Sequence, residues 1–490
     1  TAGPAIESLS PYARTILCRT LLIRLSDIAL ATFASEFALH RALRPALPGL
    51  PASADTGYRA FVAAGSGETL RHYPILAALL EQACDDWAES HGEMLARLHA
   101  DWPEIRRVFG ARDPVLAGLA PSCSDPHHGG RAVTCLGFVD GLALVYKPRS
   151  VAMEQGLGSL LGWANAQGYS RPFYRPALIE RRGYGWMTHV AAAPCRTAAD
   201  IHAYYHRIGG LLALVTLFQG TDIHRENLIA AGEHPVIVDA ETLLHPRLDP
   251  EYARTLGPGA MRAAASGDFA QALDECGFIA RAGEPDFSAL GTAGSVETPF
   301  PHPRCIGVNS DAMRIEQVPY RAPPRNHVPM LDGQPHYATE QVEPILAGYA
   351  ELLAIAIRDR AGLLDLARSF AGRPTRLIIR STNAYGLLLN ASLEPAMLRS
   401  ASARVALFGR LGAADSDIAD AEQRALLRLD VPHVTCPCDE PGPGWAAPLA
   451  QVEQRIAGLR DQDIALHLAL LRARIAAAAT LEPTATGDRS

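Results

Sequence analysis

Residues 220–246 read GTDIHRENLIAAGEHPVIVDAETLLHP, and their interpretation decides that of the rest of the chain. Asp222 and Asn227 stand five positions apart. A short apolar run, a Gly-containing turn and a second run, PVIV, follow in the pattern of a small hairpin over 228–239. Asp239 and Glu241 come at the end of that second run. Each piece alone has a bland reading. A D-x-H segment after a helix is often a polar turn, and two carboxylates past a strand are often a solvated strand end. The neighbouring sequence has to decide.

Upstream, LALVYKPRS (142–150) contains Lys147, the only lysine among 45 Lys and Arg residues. Compositional bias alone would leave a stray lysine somewhere. At a solvated surface the two cations are nearly interchangeable, but a compact ammonium can approach one point where a planar guanidinium fork cannot. The runs 131–138 and 142–149, joined by VDG, read as a hairpin with Lys147 on its second strand, directly after GGR (129–131). A helix is expected over 151–167, where Glu154 is placed to pair with Lys147. Another hairpin (177–190) and a long helix (200–218) lead to the opening segment.

Phosphoryl transfer from ATP needs a cation on the phosphates, a carboxylate that orients the attacking hydroxyl, and oxygen ligands for Mg2+. Kinase catalytic loops place Asp and Asn five apart, with a metal-binding Asp after the next strand and the phosphate-contacting lysine on an upstream strand. Lys147, Asp222, Asn227 and Asp239 fit that pattern. The Gly-rich loop of protein kinases is missing, since only HHGG precedes the first strand. That points to the lipid-kinase variety, whose loops also read D-x-H-x-x-N. The expected fold class is α+β, a lipid-kinase-like bilobal catalytic core with additional helical regions.

Length and composition agree with a globular chain. A length of 490 residues predicts more than one lobe, and 48% hydrophobic with 20% charged residues is ordinary for a packed protein. A net charge of −7 offers no basic field for nucleic acid, and no apolar run approaches the length of a membrane span. Nine irregularly spaced cysteines fit free thiols in the cytoplasm. Cys436 and Cys438 lack a second cysteine pair, so a loop is expected there rather than zinc. The periodicity predicts helices over 10–45 and 75–108, and extended loops with one short helix near 268–277 in the Gly/Pro-rich 251–340. From 341 the chain reads as helical, broken by a strand at 376–380 and a loop at 436–447. The resulting division is a helical region 1–120 (a candidate leader-peptide contact), an N-lobe 121–200, a C-lobe 201–480 and a linker-like tail 481–490.

Five motifs in order, DPHHGGR, LVYKPRS, TDIHREN, VDAETLLHP and RLIIRSTNAY, carry a family resemblance. Weaker matches are CRTLLIRLSDIAL, GVNSDAMRI and ALLRLDVPHV. Over about 15–480 the sequence resembles the dehydratase domain of class II lanthipeptide synthetases. The resemblance implies that Ser and Thr of a precursor peptide are phosphorylated with ATP and Mg2+. The same site would then eliminate phosphate, leaving dehydroalanine or dehydrobutyrine. It implies that Lys147, Asp222, His224, Asn227, Asp239 and Glu241 serve the kinase half. Lys147 would contact the phosphates, Asn227 and Asp239 would hold magnesium, Asp222 would orient the hydroxyl, and His224 and Glu241 would support them.

Elimination also needs a base for the Cα proton and donors for the leaving phosphate. The resemblance gives that half to Asp125, His127, Arg376 and Thr382, with Arg380 a neighbour. Taken singly, His127 could be a loop residue and Arg376 part of a surface ion pair. Ser124 departs from the family's usual glycine, a change in turn geometry. No C-H-G or W-C element of the zinc cyclase occurs. The cyclase is therefore expected beyond residue 490 or as a separate protein, and ring formation is not expected of these residues. Two other readings stay open. A simple kinase of a lipid or small molecule leaves the elimination residues without a purpose. A dead scaffold that binds leader peptide sits poorly with the intact kinase set.

Overall fold

The computed structural model describes residues 8–43, 56–64, 67–121, 123–257, 260, 269–281, 284–411 and 417–479. The tail 481–490 lies outside the described residues. Helices α1 (Pro11–Leu43), α2 (Thr56–Ala64), α3 (Gly67–His72) and α4 (Pro74–Phe109) come first. Helix α4 starts on a proline, whose missing N–H costs nothing there, and stops at Gly110 in the left-handed region at φ 74°.

A five-stranded sheet follows, in the order β1-β2-β3-β5-β4. Its strands are β1 (Leu116–Ala120), β2 (Thr134–Phe138), β3 (Ala143–Lys147), β4 (Leu178–Arg181) and β5 (Tyr184–Thr188). Helix α5 (Ala152–Ala166) lies between β3 and β4 in sequence. Strand β1 falls inside the region 1–120 read as helical, past the expected helix 75–108, and pairs with β2 from Leu116 onward. The N-terminal helices share a core with this sheet: Ala13, Leu17, Met94, Leu98 and Ile105 pack with Leu136, Leu144, Tyr146 and Trp186. Lys147 ends β3 opposite Gly185. A Cβ at Gly185 would lie 2.3 Å from a Val151 methyl and 2.9 Å from the Ile179 carbonyl oxygen, so only glycine fits beside the lysine.

Helix α6 (Ala198–Leu217) is closed at its N-terminus by a capping box between Thr197 and Asp200. It is buried on nearly every side from Ile201 to Leu217, as a helix hydrophobic all round must be. The hairpin β6 (Leu228–Ala231) and β7 (His234–Ile237) comes next, then the short helices α7 (Pro250–Thr255) and α8 (Phe269–Glu275). The sequence expectation of loops over 251–340 is corrected here. A long antiparallel hairpin, β8 (Val296–Ile306) with β9 (Arg314–Ala322), occupies much of it, and a two-residue pair, β10 (Met330–Leu331) and β11 (Gln334–Pro335), follows.

Helix α9 (Val342–Arg358) packs along α6. A Cβ on Gly348 would lie 1.9 Å from the His206 carbonyl oxygen, and one on Gly209 would lie 2.0 Å from that of Ile345. The two backbones therefore touch. Helix α10 (Arg360–Arg368), strand β12 (Pro374–Leu377), helices α11 (Thr382–Ser392), α12 (Ala401–Phe408) and α13 (Asp417–Leu427), strand β13 (Val434–Pro437), and helices α14 (Pro448–Gly458) and α15 (Asp461–Ala479) complete the chain. The predicted strand 376–380 is displaced: β12 stops at Leu377, because the Ile378 amide donates to His245 Nε2 at 3.0 Å instead of to a strand. The predicted loop from 436 begins later, since Cys436 still pairs with Thr375. All pairs of named strands among the described residues are antiparallel, and helices and strands are interspersed along the chain, a mixture compatible with an α+β fold.

Candidate active site

The ten residues singled out in the sequence line a single cleft of about 860 Å³: Asp125, His127, Lys147, Asp222, His224, Asn227, Asp239, Glu241, Arg376 and Thr382. Local structure explains how. The tight turn between β6 and β7 folds the segment back, with Leu228 opposite Ile237, and the Val238 amide donates to the Asn227 carbonyl at 2.9 Å. Asn227 and Asp239, twelve positions apart in sequence, thereby flank the same end of one hairpin. Asp222 sits in the left-handed region at φ 60°, one turn of backbone before it. Asn227 Nδ2 donates to the Asp222 carbonyl at 2.8 Å, and His224 Nε2 lies 3.7 Å from Asp222 Oδ1.

Lys147 is 3% exposed. Its Nζ donates to Glu154 Oε1 at 2.8 Å and to the Val238 carbonyl at 2.6 Å, and stands 3.9 Å from Asp239 Oδ2. The expected pairing with Glu154 is present. Burial would raise the Glu154 carboxyl, but Arg149 and Lys147 outweigh it and hold it at about 2.

Arg149 was not anticipated. Its guanidinium reaches three carboxylates: Glu154 Oε1 at 2.8 Å, Asp239 Oδ1 at 2.7 Å and Glu241 Oε2 at 2.7 Å. One arginine among many gives no sequence signal, and only its place two residues beyond the lone lysine could have marked it.

Glu241 is the hub of the other side. Its Oε1 accepts from Arg376 Nη1 at 2.6 Å, and its Oε2 is 3.1 Å from His433 Nε2. Burial would raise this carboxyl, yet Arg149, His433 and Arg376 hold it well below the usual range. Backbone pairing fixes the approach. The Arg376 amide donates to the Glu241 carbonyl at 2.8 Å, and β12 pairs with β13 so that Arg376 faces Thr435, two residues from His433.

The DPHHGG turn is clamped from below. Asp430 Oδ2 accepts from the Gly129 amide at 2.6 Å and Oδ1 from the Gly130 amide at 2.9 Å. His127 Nδ1 is 2.6 Å from the Val431 carbonyl. A carbonyl only accepts, so Nδ1 bears the hydrogen and the neutral ring keeps its lone pair on Nε2. Burial, with His433 and Arg376 nearby, pushes His127 down to about 3, so it is neutral at pH 7.

Asp125 is raised by burial and bonds the Thr382 side chain. Thr382 opens α11, where the backbone amides favour an anion. Arg380, the expected neighbour, lines the same cleft, but it is 2% exposed and its guanidinium bonds Glu422 and the Leu256 and Leu411 carbonyls.

The donor set suits magnesium. Asn227 and Asp239 offer hard oxygens, and Mg2+ takes only one or two protein oxygens while keeping water and phosphate ligands. Among the described residues no three His, Cys, Asp or Glu side chains converge on a metal position. No helix among the described residues is long and apolar enough to cross a membrane.

Comparison with known proteins places these residues in context. The chain is 23% identical over 332 residues to the lacticin 481/lactococcin biosynthesis protein LcnDR2 of Lactococcus lactis subsp. lactis, a match covering 64% of this chain and 35% of that protein. The match thus spans about a third of the relative's length. The family described as domain of unknown function (DUF4135) matches residues 73–436, from the start of α4 to within β13 and through every residue of the cleft discussed above. The chain belongs to the DUF4135 family.

Proposed function

We propose that this chain is a lipid-kinase-like dehydratase of a ribosomally made precursor peptide in lanthipeptide biosynthesis. It phosphorylates Ser or Thr with ATP and then eliminates phosphate to give dehydroalanine or dehydrobutyrine. The observation that carries this reading is Glu241. Its carboxylate is bonded both to Arg149, which also holds the kinase carboxylates Glu154 and Asp239, and to Arg376, the arginine required for a leaving phosphate. Two half-reactions in one site call for such a shared group. The relative's role in lacticin 481/lactococcin biosynthesis points the same way.

In the first half, Lys147 meets the nucleotide phosphates as a compact charge, fixed by Glu154 and the Val238 carbonyl. Asn227 and Asp239 would hold magnesium, which when bound would supply the positive charge that phosphoryl transfer needs. Asp222, raised chiefly by burial, orients the peptide hydroxyl and accepts its proton as the oxygen bonds the γ-phosphorus and ADP departs. In the second half a base takes the Cα proton, the Cα–Cβ double bond forms, and the Cβ–O bond breaks with its electrons leaving on phosphate. His127, held neutral by burial beside Arg376 with Nδ1 on the Val431 carbonyl, lines this elimination side of the cleft. Arg376, Thr382 and the N-terminus of α11 receive the phosphate, while Asp125 orients Thr382.

Intact mass of a precursor peptide encoded beside this protein, produced together with it, tests the reading. The native chain is expected to remove waters, whereas Arg376→Ala leaves phosphates on the peptide. Phosphates retained with both proteins would reduce the function to a kinase. An unchanged peptide with ATP and magnesium present would remove the kinase as well.

A further inference from the structure

One side chain outside the set above touches both sides of the elimination machinery. His433 stands immediately before β13, in the stretch ALLRLDVPHV that resembled the family without an assigned purpose. Its side chain is 6% exposed. Nε2 lies 3.1 Å from Glu241 Oε2, and Nδ1 lies 3.4 Å from His128 Nε2. Its ring centroid is 5.0 Å from that of His127.

A carboxylate only accepts, so Nε2 of His433 donates to Glu241, while Nδ1 faces His128 Nε2. One imidazole therefore steadies the carboxylate that carries Arg376 and supplies the surface against which the His127 ring packs. Losing it would loosen both. The kinase side keeps a hold of its own, since Arg149 Nε binds the same Glu241 oxygen at 2.7 Å.

We propose that His433 is a positioning residue for the elimination step, fixing the Glu241 carboxylate behind Arg376 and the ring of His127 in one relation. The inference rests on the dehydratase reading and deepens it. A plain hydrogen-bond donor could satisfy Glu241, but only a ring can also pack on His127, so the site needs a histidine.

The test uses the whole chain with ATP and magnesium and two substrates, the precursor peptide and a synthetic phosphoseryl form of it, read by intact mass. His433→Ala is expected to slow phosphate loss from the phosphopeptide by about tenfold or more, while phosphorylation slows by less than about threefold, so that phosphorylated peptide accumulates. His433→Gln keeps a donor for Glu241 and is expected to recover part of the elimination rate. Equal slowing of both steps, or elimination at the native rate, would overturn the proposal. Should the alanine variant lose its cooperative thermal transition, His433→Gln decides by the same ratio of the two rates. Failure of the dehydratase reading itself would appear in the native chain, as phosphates retained or a peptide left unaltered.

Discussion

Lys147 and Arg149 sit two positions apart and divide between them what one kind of cation could not do. The ammonium is wedged between Glu154 and a backbone carbonyl at 3% exposure, whereas the guanidinium spreads over three carboxylates. Lysine survives there because its charge must end in a point. Lys147→Arg should keep the net charge yet abolish peptide phosphorylation by mass, and overpacking should cost about 1–3 kcal/mol in thermal unfolding. Lys147→Met should cost about 3 kcal/mol, near the low end for breaking a buried pair, because Arg149 continues to hold Glu154. Retained phosphorylation in the arginine variant would contradict this account. The lysine was legible because it was unique, and the Asp/Asn spacing because the chemistry requires it. Arg149 and His433 were not, since neither residue type was rare and their significance lies in contacts that only folding creates.

Helix α6 delivers the chain into Asp222, and its depth is set by where its backbone meets α9. Gly348→Ala should wedge the two helices apart, since its Cβ would lie 1.9 Å from the His206 carbonyl oxygen. A fall in stability of about 3 kcal/mol or more is expected in denaturant unfolding, with weakened phosphorylation beside it. An unaltered midpoint would show that the helices have room to move. That both segments are helical was legible in the sequence, but their contact was not. The hairpin β8–β9 escaped detection for a different reason. Pro301 faces Pro319 and so cannot be a hydrogen-bonded pair. Pro303 falls on the same alternate register, leaving the even positions to carry the ladder. Prolines that would break a central strand are tolerated in such a ribbon, so the composition reads as loop.

Across the whole molecule, several histidines are buried neutral in different parts of the chain. Burial pushes His127 and His245 down to about 3 and His327 and His467 to about 4, against an ordinary 6.5. Below 6.5 the unfolded chain binds protons that the native chain refuses, so stability is lost as pH falls from 6.5 towards 4. Each such group contributes up to about 1.4 kcal/mol per pH unit in that window. The thermal midpoint should therefore drop between pH 7 and pH 5, and His245→Gln should flatten the profile; a level profile in the native chain would contradict the assignment. The β8–β9 ribbon carries a last consequence for the molecule among its own copies. At Pro301 and Pro303 the missing N–H groups belong to the outer edge of β8, and Pro319 removes one from β9. A strand arriving from a neighbouring molecule would find a rail with rungs missing, so this long exposed hairpin is a poor template for stacking one chain onto the next.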